Sequence, residues 1–273
     1  MAGFDDNATE KTEQAKGSDV GSFDELMSKT REAKGDIEGQ KLDIGVYGKP
    51  KTGKTHFALS APGPIFFIDT EGGTGPLEHK FADDKDIAIH TIKKVGDDYS
   101  QDHVEAWEEF QETVNMLLEN QDKFETVVVD STTDIWNYVR NYCKVKIWNK
   151  SPEERLDQQW DWGEINSRYT NTVQKLLGAD FHVIFTARSK QEYAAAGEPT
   201  GNYDPKWQKR TTHWLNVVVQ NQKSWEDGGT TKRLFSTIEH SRFDYDGDKT
   251  IMGTEIENME WDDLLTEIKK VAE

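Results

Sequence analysis

Residues 42–55 read LDIGVYGKPKTGKT, and this stretch decides the fold. Its first seven residues are mainly apolar and predict a short buried strand, whereas THFALSA, from Thr55 onward, predicts the start of a helix. Between them, residues 48–55 match the pattern G-x-x-x-x-G-K-[ST]. The backbone N–H groups of such a glycine-containing loop point at phosphate oxygens. A strand, this loop and a helix in that order predict a site for nucleotide phosphates.

The motif assigns a role to each of its polar residues. The predicted nucleotide-binding residues are Gly48, Lys49, Pro50, Lys51, Thr52, Gly53, Lys54, Thr55 and His56. Lys54 is predicted to be catalytic because the lysine of such a loop reaches the β- and γ-phosphates, and the hydroxyl of Thr55 is predicted to ligate Mg²⁺. ATP and Mg²⁺ are therefore the predicted cofactors. An ordinary Gly–Lys turn is the alternative, and the flanking strand and helix disfavour it.

Further apolar runs alternate with helical patterns along the chain. Strands are predicted at PIFFIDT (64–70), IAIHTI (87–92), FETVVVD (124–130), FHVIFTA (181–187), NVVVQN (216–221) and RLFSTIEH (233–240). Helices are predicted at residues 102–120, 132–148, 158–178 and 259–271. The polar residues 189–212, which contain Gly and Pro, predict a loop. This alternation predicts an α/β fold with a mainly parallel central sheet and helices on both faces.

Composition limits the class of protein. Lys and Arg total 33 and Asp and Glu total 51, which gives a formal net charge of −18. This charge argues against nonspecific DNA coating by the whole surface but allows a local basic site. The single cysteine, Cys143, excludes an internal disulfide and a zinc cluster. The sequence contains no apolar run of the roughly 18 residues that a membrane span requires.

The beginning of the chain differs from the rest. Residues 1–40 are polar and rich in acids, so we expect a flexible acidic leader followed by an ATP-binding domain at residues 41–273. The first residues lack both the basic start and the apolar stretch of a secretory signal. We therefore expect a soluble cytoplasmic protein with no membrane partner, located in the host cytoplasm if the protein is viral.

Two acids that follow predicted strands complete the predicted site. Asp130 closes FETVVVD and is predicted to hold the Mg²⁺ shell together with Thr55. Ser131 follows it, where many ATPases place a glutamate that activates water. Glu71, just past PIFFIDT, is the predicted replacement, because the carboxyl ends of parallel strands share one edge at which ligands bind. A solvated strand-end aspartate and an ordinary loop carboxylate are the respective alternatives.

Together these pieces resemble the RecA-like ATPase core. More narrowly, they resemble the phage-encoded AAA-type ATP-binding proteins of the single-strand annealing and recombination group. The resemblance covers about residues 41–272 and depends on the phosphate loop and on FFIDTEGG, VVVDS and VIFTARSK. It implies that Glu71 activates water and that the end of VIFTARSK is a sensor. RecA proteins usually carry Asn-Gln there, so Arg188 is the predicted substitute, with an ordinary surface arginine as the alternative.

The resemblance also implies a contact with single-stranded DNA after the sensor strand. Residues 203–210 read YDPKWQKR, in which Lys206, Trp207, Lys209 and Arg210 are the predicted DNA-binding residues. Cations suit the phosphates of a single strand, and aromatic rings stack on its bases. A solvated loop whose tryptophan packs on the domain is the alternative.

A second implied contact joins neighbouring subunits. FSTIEHSRF (235–243) resembles the strand on which RecA carries two lysines inside a neighbour's ATP site. His240 and Arg242 occupy similar places, so Arg242 is predicted to act as a catalytic finger across the interface of a homo-oligomer. A strand-end arginine paired with an acid is the alternative.

The predicted function is therefore that of an ATP-binding RecA-like protein, an ATPase in viral DNA recombination or single-strand annealing. A helicase-like or packaging motor on the same core is one alternative. A nucleotide-binding assembly module of a replication complex, with little turnover, is another. The missing glutamate after Asp130 and the altered sensor support that second alternative. A small-molecule kinase is a weaker option, because the sequence shows no convincing arginine-rich lid.

Overall fold

The computed structural model describes residues 37, 39–92, 99–156, 159–195, 197–244 and 249–272. The predicted acidic leader, residues 1–40, lies outside the described residues except for Ile37, Gly39 and Gln40.

Nine strands within the described residues form one sheet. The strands are β1 Asp43–Gly48, β2 Ile65–Asp69, β3 Ile87–Thr91, β4 Thr126–Asp130, β5 His182–Tyr193, β6 Pro199–Pro205, β7 Val217–Glu226, β8 Thr231–Ser241 and β9 Glu255–Glu257. Their order is β3-β2-β4-β5-β1-β7-β8-β9, with β6 paired to β5. The six strands from β3 to β7 in that order run parallel, whereas β6, β8 and β9 pair antiparallel with their neighbours. The predicted α/β fold with a mainly parallel sheet is confirmed.

Helices cover both faces of this sheet. They are α1 Lys54–Ser60, α2 Gly75–Glu78, α3 Tyr99–Leu118, α4 Thr132–Tyr142, α5 Gln159–Leu177, α6 Thr211–Trp214 and α7 Trp261–Ala272. A π-helical turn, Cys143–Ile147, continues α4. One apolar core lies between the sheet and α3, α4 and α5, and the second lies between the sheet and α1 and α7. No helix among the described residues is both long and apolar enough to cross a bilayer.

The core follows from the apolar runs of the sequence. All five residues of β4 are buried, as expected for a strand covered on both faces. Trp107 and Tyr169 fill one core, and Phe57 and Ile268 fill the other. Each fully buried side chain of this size contributes about 1.5–3 kcal/mol through the hydrophobic effect. These two layers hold the carboxyl ends of the parallel strands in fixed register.

The region predicted as a loop, residues 189–212, contains two strand segments instead. β5 continues to Tyr193 and pairs with β6, which forms a hairpin that extends from the sheet. This prediction was wrong because most side chains of the hairpin are exposed or half-buried, so no alternation of apolar and polar residues marks the strands. β7 and β8 likewise extend beyond their predicted ends and form a second hairpin.

The parallel register brings the phosphate loop and the predicted site residues at the ends of β2 and β4 and within β5 to one edge. Gly48 at the end of β1 lies beside Arg188 of β5, and Asp69 at the end of β2 lies beside Asp130 of β4. Because these strands share a direction, their carboxyl ends form a single rim on which the loops after each strand meet.

Candidate functional site

The phosphate loop connects β1 to α1 and requires glycine at two positions. A Cβ on Gly48 would lie 2.2 Å from the carbonyl oxygen of Asn221 and 2.8 Å from Oγ1 of Thr52, so only glycine fits there. Gly53 has a φ of 92°, a left-handed conformation that favours glycine. Oγ1 of Thr52 donates to the carbonyl of Lys49 at 2.9 Å and closes the turn. The loop thus has the backbone conformation that its sequence motif predicts.

Lys54 bends back over this loop. Its Nζ donates to the carbonyl oxygens of Gly48 at 3.2 Å and of Lys49 at 3.1 Å. Burial lowers the pKa of Lys54, while the carboxylates of Asp130 and Glu71 act in the opposite direction. A phosphate seated on the loop would offer the ammonium group stronger, charged acceptors than these two carbonyls. The ammonium group of Lys54 therefore lies over the loop on which the motif predicts phosphate binding.

The two predicted Mg²⁺ ligands contact each other. Oγ1 of Thr55 donates to Oδ2 of Asp130 at 2.7 Å, and Oγ1 of Thr186 donates to the other carboxylate oxygen. Burial raises the pKa of Asp130, and these two hydroxyl donors partly offset that rise. A hydroxyl and a carboxylate are hard oxygen ligands, and Mg²⁺ commonly takes one or two protein ligands plus phosphate oxygens and waters. The pair therefore fits Mg²⁺ delivered with a nucleotide.

Glu71 lies on a loop that Asp69 organises. Asp69 is buried, and its Oδ1 accepts backbone N–H groups from Glu71 at 2.9 Å and Gly72 at 2.6 Å. Its Oδ2 accepts the hydroxyl of Thr74 at 2.9 Å. The backbone N–H of Thr70 donates to the carbonyl of Asp130 at 2.7 Å, which ties the loop to the end of β4. Asp69 thus fixes the place of the glutamate beside the predicted metal ligands.

Arg188 holds the carboxylate of Glu71. Oε1 of Glu71 accepts Nε of Arg188 at 3.0 Å and Oγ of Ser131 at 3.1 Å. Nη2 of the same arginine donates to Oδ2 of Asp134 at 3.0 Å. Burial lowers the pKa of Arg188, but Asp134 and Glu71 outweigh it and the pKa lies above its ordinary value. The Arg188 guanidinium therefore bridges two carboxylates at the rim.

Asp134 is a site residue that the sequence motifs do not identify. Its side chain is 15% exposed and accepts Oγ1 of Thr70 at 3.1 Å as well as the guanidinium of Arg188. Burial raises the pKa of Asp134, and Arg188 opposes that rise. The available signal was its spacing: it follows Asp130 by four residues and lies in the first turn of the helix that starts after β4. Thr186 was also missed, although it is the lone polar residue in the apolar run VIFTA.

A cavity of about 490 Å³ adjoins the phosphate loop. Its lining includes Gly53 and His56 beside the apolar side chains of Leu77, Leu234 and Met259. Burial lowers the pKa of His56, whose Nε2 lies 3.7 Å from Glu260. Most of the other lining side chains are polar or charged, among them Lys80, Lys232 and Asn258. A cleft of this volume and mixed character can hold a base and its sugar. His56 therefore lies on the side of the phosphate loop that this cavity occupies.

The predicted DNA-binding residues separate into two groups. Lys206, Lys209 and Arg210 are exposed beyond β6. Trp207 is 5% exposed, its Nε1 donates to Oγ1 of Thr212 at 3.2 Å, and its ring packs against the backbone at Gly45. The predicted base-stacking role of Trp207 does not agree with this position, because burial leaves the ring no open face for a base.

Arg242 lies at the opposite edge of the sheet from the phosphate loop. β8 is antiparallel to β7, so Ser241 pairs with Val217 at the start of β7. The backbone N–H of Arg242 donates to the carbonyl of Asn216 at 2.8 Å, and its Nη2 donates to the carbonyl of His213. His240 pairs with Val218 in the same register. Neither residue reaches the phosphate loop of its own chain.

Comparison with known proteins gives a family and similar solved structures. A family model described as an AAA domain matches residues 40–245, which is most of the chain. Among solved structures, the fold is similar to a KaiC-like protein from the hyperthermophilic archaeon Pyrococcus horikoshii. That match has 13% identity and a TM-score of 0.45, and it covers 79% of this chain and 84% of the other. No curated protein matches the sequence.

Proposed function

The chain belongs to the AAA domain family, and we propose that it is a Mg²⁺-dependent ATPase of DNA recombination or single-strand annealing. One observation carries the catalytic part: Lys54, the Thr55–Asp130 pair and Glu71 converge on one rim of the sheet. These groups supply, in order, a phosphate-binding cation, hard ligands for a metal and a carboxylate for orienting water.

Each group has a distinct task in hydrolysis. Mg²⁺, when bound, neutralises charge on the β- and γ-phosphate oxygens. Thr55 and Asp130 hold their oxygens on the metal side of the loop, and Lys54 replaces its two carbonyl partners with phosphate oxygens. Glu71 accepts a hydrogen bond from the attacking water and orients it toward the γ-phosphate. Asp69 contributes by holding the loop that carries Glu71.

Arg188 gives the site a resting state. While the guanidinium occupies Oε1 of Glu71, that oxygen already has a donor other than water. The side chains of the pair are 42% and 36% exposed, and ion pairs this exposed contribute only about 0–1 kcal/mol. An incoming triphosphate carries more negative charge than one carboxylate, so it attracts Nε of Arg188 away from Glu71. Asp134 retains Nη2 and keeps the arginine in the site.

The DNA part of the proposal depends on the segment that follows β6. The backbone N–H of Lys206 donates to the carbonyl of Arg188 at 2.7 Å, which joins the predicted DNA-binding segment to the residue that holds Glu71. Lys206, Lys209 and Arg210 supply exposed cations in a chain of charge −18. A DNA strand that displaces this segment when it binds also displaces the backbone of Arg188. We therefore expect turnover to respond to single-stranded DNA.

The deciding experiment measures steady-state ATP hydrolysis with and without single-stranded DNA at controlled salt, with Lys54→Ala as the inactive reference. We expect Mg²⁺-dependent turnover that DNA stimulates, and Glu71→Gln should bind ATP but lose hydrolysis. Wild-type turnover by Lys54→Ala contradicts the site. Tight ATP binding without turnover or DNA response supports the assembly-module alternative, and ATP-driven strand unwinding supports a helicase-type motor.

A further inference from the structure

Residues 135–152, at the end of α4 and beyond, form an acid-free basic segment in a strongly acidic chain. The segment contains Arg140, Lys144, Lys146 and Lys150 and no Asp or Glu, whereas the whole chain has a net charge of −18. Lys144 is buried and its Nζ donates to the carbonyl of Pro152. Arg140 and Lys146 remain as cations with no carboxylate within 4 Å among the described residues. This charge pattern favours a polyanionic ligand.

Aromatic rings interleave with these cations. The rings of Trp136 on α4 and Trp162 on α5 stack with their planes 27° apart and their centroids 6.4 Å apart. The guanidinium of Arg140 lies 5.5 Å from the centroid of Trp162. Trp162 is 37% exposed, a large fraction for a tryptophan. We call Trp136, Arg140, Lys146 and Trp162 the α4–α5 surface.

Three acids near this surface, Glu164, Glu154 and Asp161, already have basic partners. Glu164 accepts Nε of Arg168 at 2.7 Å, and that arginine lies 5.5 Å from the ring centroid of Tyr142. Glu154 pairs with Lys150 at 3.6 Å, and the buried Asp161 lies 3.8 Å from the same Nζ. These pairs neutralise Lys150 and Arg168 but leave Arg140 and Lys146 uncompensated within the part of the chain that the structure describes.

The surface is continuous with the exposed cations that follow β6. Nε2 of Gln208 donates to Oδ1 of Asn166, which lies one turn after Trp162 on α5, at 3.1 Å. The backbone N–H of Arg210 donates to Oε1 of the same glutamine at 2.6 Å. The segment with Lys209 and Arg210 is thus held against α5. Trp162 supplies next to it the exposed ring that the buried Trp207 cannot supply.

From this arrangement we propose that the α4–α5 surface binds single-stranded nucleic acid, with Trp162 stacking on a base and Arg140 and Lys146 contacting phosphates. Exposed rings beside cations are what binding a single strand requires, because its bases are unpaired and their faces are open. Duplex DNA hides those faces, so it lacks the stacking partner. This inference deepens the proposed function, since the ligand is the strand to which the ATPase is proposed to respond.

The test measures anisotropy of a fluorescein-labelled oligothymidylate with the full chain, over a salt series and without nucleotide. We expect Trp162→Ala to weaken binding roughly 10-fold through the lost stacking, and Trp162→Phe to restore most of the affinity. Lys146→Gln should make the slope of log affinity against log salt less steep by about 0.7, as expected for one phosphate contact on a single strand. Lys123→Gln, an exposed lysine before β4, is the matched control and should bind like the wild type.

The outcomes separate this inference from the proposed function. Basal ATP hydrolysis without DNA should be unchanged in Trp162→Ala and Lys146→Gln, because neither residue belongs to the ATP site. Oligothymidylate affinities within about twofold of the control for both variants would overturn the inference while leaving the ATPase proposal in place. Equal affinity for a duplex of mixed sequence would also overturn it, since the stacking argument needs open base faces. If Trp162→Ala binds oligothymidylate like the wild type but no longer binds a protein that the wild type binds, the surface is a protein interface and the inference fails.

Discussion

Glu71 and Arg188 are more informative together than either is alone. Oε1 of Glu71, the carboxylate that we propose orients water, accepts Nε of Arg188 and Oγ of Ser131. Asp134 holds the second donor group of the arginine. We propose that, when a nucleotide binds, Arg188 keeps Asp134 and changes its other partner from Glu71 to a phosphate. In this proposal Arg188 is the sensor of the γ-phosphate.

We expect Arg188→Gln to reduce the preference for ATP over ADP by about 10-fold, because one charge-assisted hydrogen bond to the γ-phosphate is lost. Asp134→Asn should reduce the same preference less, because the arginine stays but loses its anchor. Fluorescent analogues of ATP and ADP report both affinities without turnover. Arg155→Gln, an exposed arginine distant in sequence from the site, is the control.

A double-mutant cycle distinguishes positioning from a general structural effect. In the Arg188→Gln background, Asp134→Asn should no longer change the ratio of ATP to ADP affinity, since Asp134 acts on that ratio through the arginine. Additive effects of the two changes would mean that Asp134 acts by another route. Thermal unfolding of each variant shows whether the fold itself has changed.

At the scale of single residues, much of the site could be predicted. The phosphate loop, Asp130 and Glu71 lie at or just after the carboxyl ends of strands that the apolar runs predict. Their positions in the sequence therefore suffice to predict that they lie close together. Asp134 and Thr186 could not be assigned in this way, because their roles depend on the partners that they meet after folding, Arg188 for Asp134 and Asp130 for Thr186. Trp207 and Trp162 show the same limit: the sequence does not reveal which tryptophan is buried.

At the scale of the elements, a histidine at the start of β5 contacts the residue that precedes β1. Nδ1 of His182, at the start of β5, accepts the backbone N–H of Leu42 at 2.9 Å in a buried position. Burial, with a smaller contribution from Lys41, lowers the pKa of His182 to about 4, although Glu125 acts in the opposite direction. Protonation would remove the acceptor, so the neutral ring stabilises the folded state.

The folded-state pKa of His182 lies below its unfolded value of about 6.5, so its contribution is complete above pH 6.5 and is lost as the pH falls toward 4. We expect the free energy of unfolding to fall by about 2 kcal/mol between pH 6.5 and 5 from this residue. Urea unfolding at several pH values measures the slope. His182→Asn, which keeps an acceptor but does not titrate, should flatten it, and an unchanged slope would show that other groups cause it.

The elements themselves were predictable where burial imposes a pattern. The runs in β1, β2, β4 and the first half of β5 are apolar because helices cover both faces, so their strands and order of appearance could be read directly. The outer half of β5 and β6 have mostly exposed or half-buried side chains and carry no such pattern. Backbone pairing alone holds that hairpin, and hydrophobic periodicity does not detect backbone pairing.

At the scale of the whole molecule, the position of Arg242 determines whether it can contact a nucleotide of its own chain or only one of a neighbouring subunit. The six residues of β1 separate the amino ends of the parallel strands from their carboxyl ends by roughly 20 Å. Arg242 lies at the amino ends, so it cannot contact a nucleotide on its own phosphate loop. Burial raises the pKa of Asp43 at that far edge to about 7, and Arg242 opposes the rise. Arg242 either stabilises the fold of its own chain or completes the ATP site of a neighbouring subunit. We propose the second role, in a head-to-tail homo-oligomer.

Mixing two inactive variants tests that proposal. Glu71→Gln lacks the carboxylate but keeps Arg242, and Arg242→Ala lacks the arginine but keeps Glu71. If Arg242 acts across the interface, each variant alone should hydrolyse at most about one-thousandth as fast as the wild type. An equal mixture should regain about a quarter of wild-type turnover, because one interface in four combines an intact Glu71 with a neighbour's intact Arg242. A mixture of Glu71→Gln with Lys54→Ala contains no complete site and should stay inactive. Full activity of Arg242→Ala alone, or a folded mixture without recovery, would restrict the arginine to its own chain.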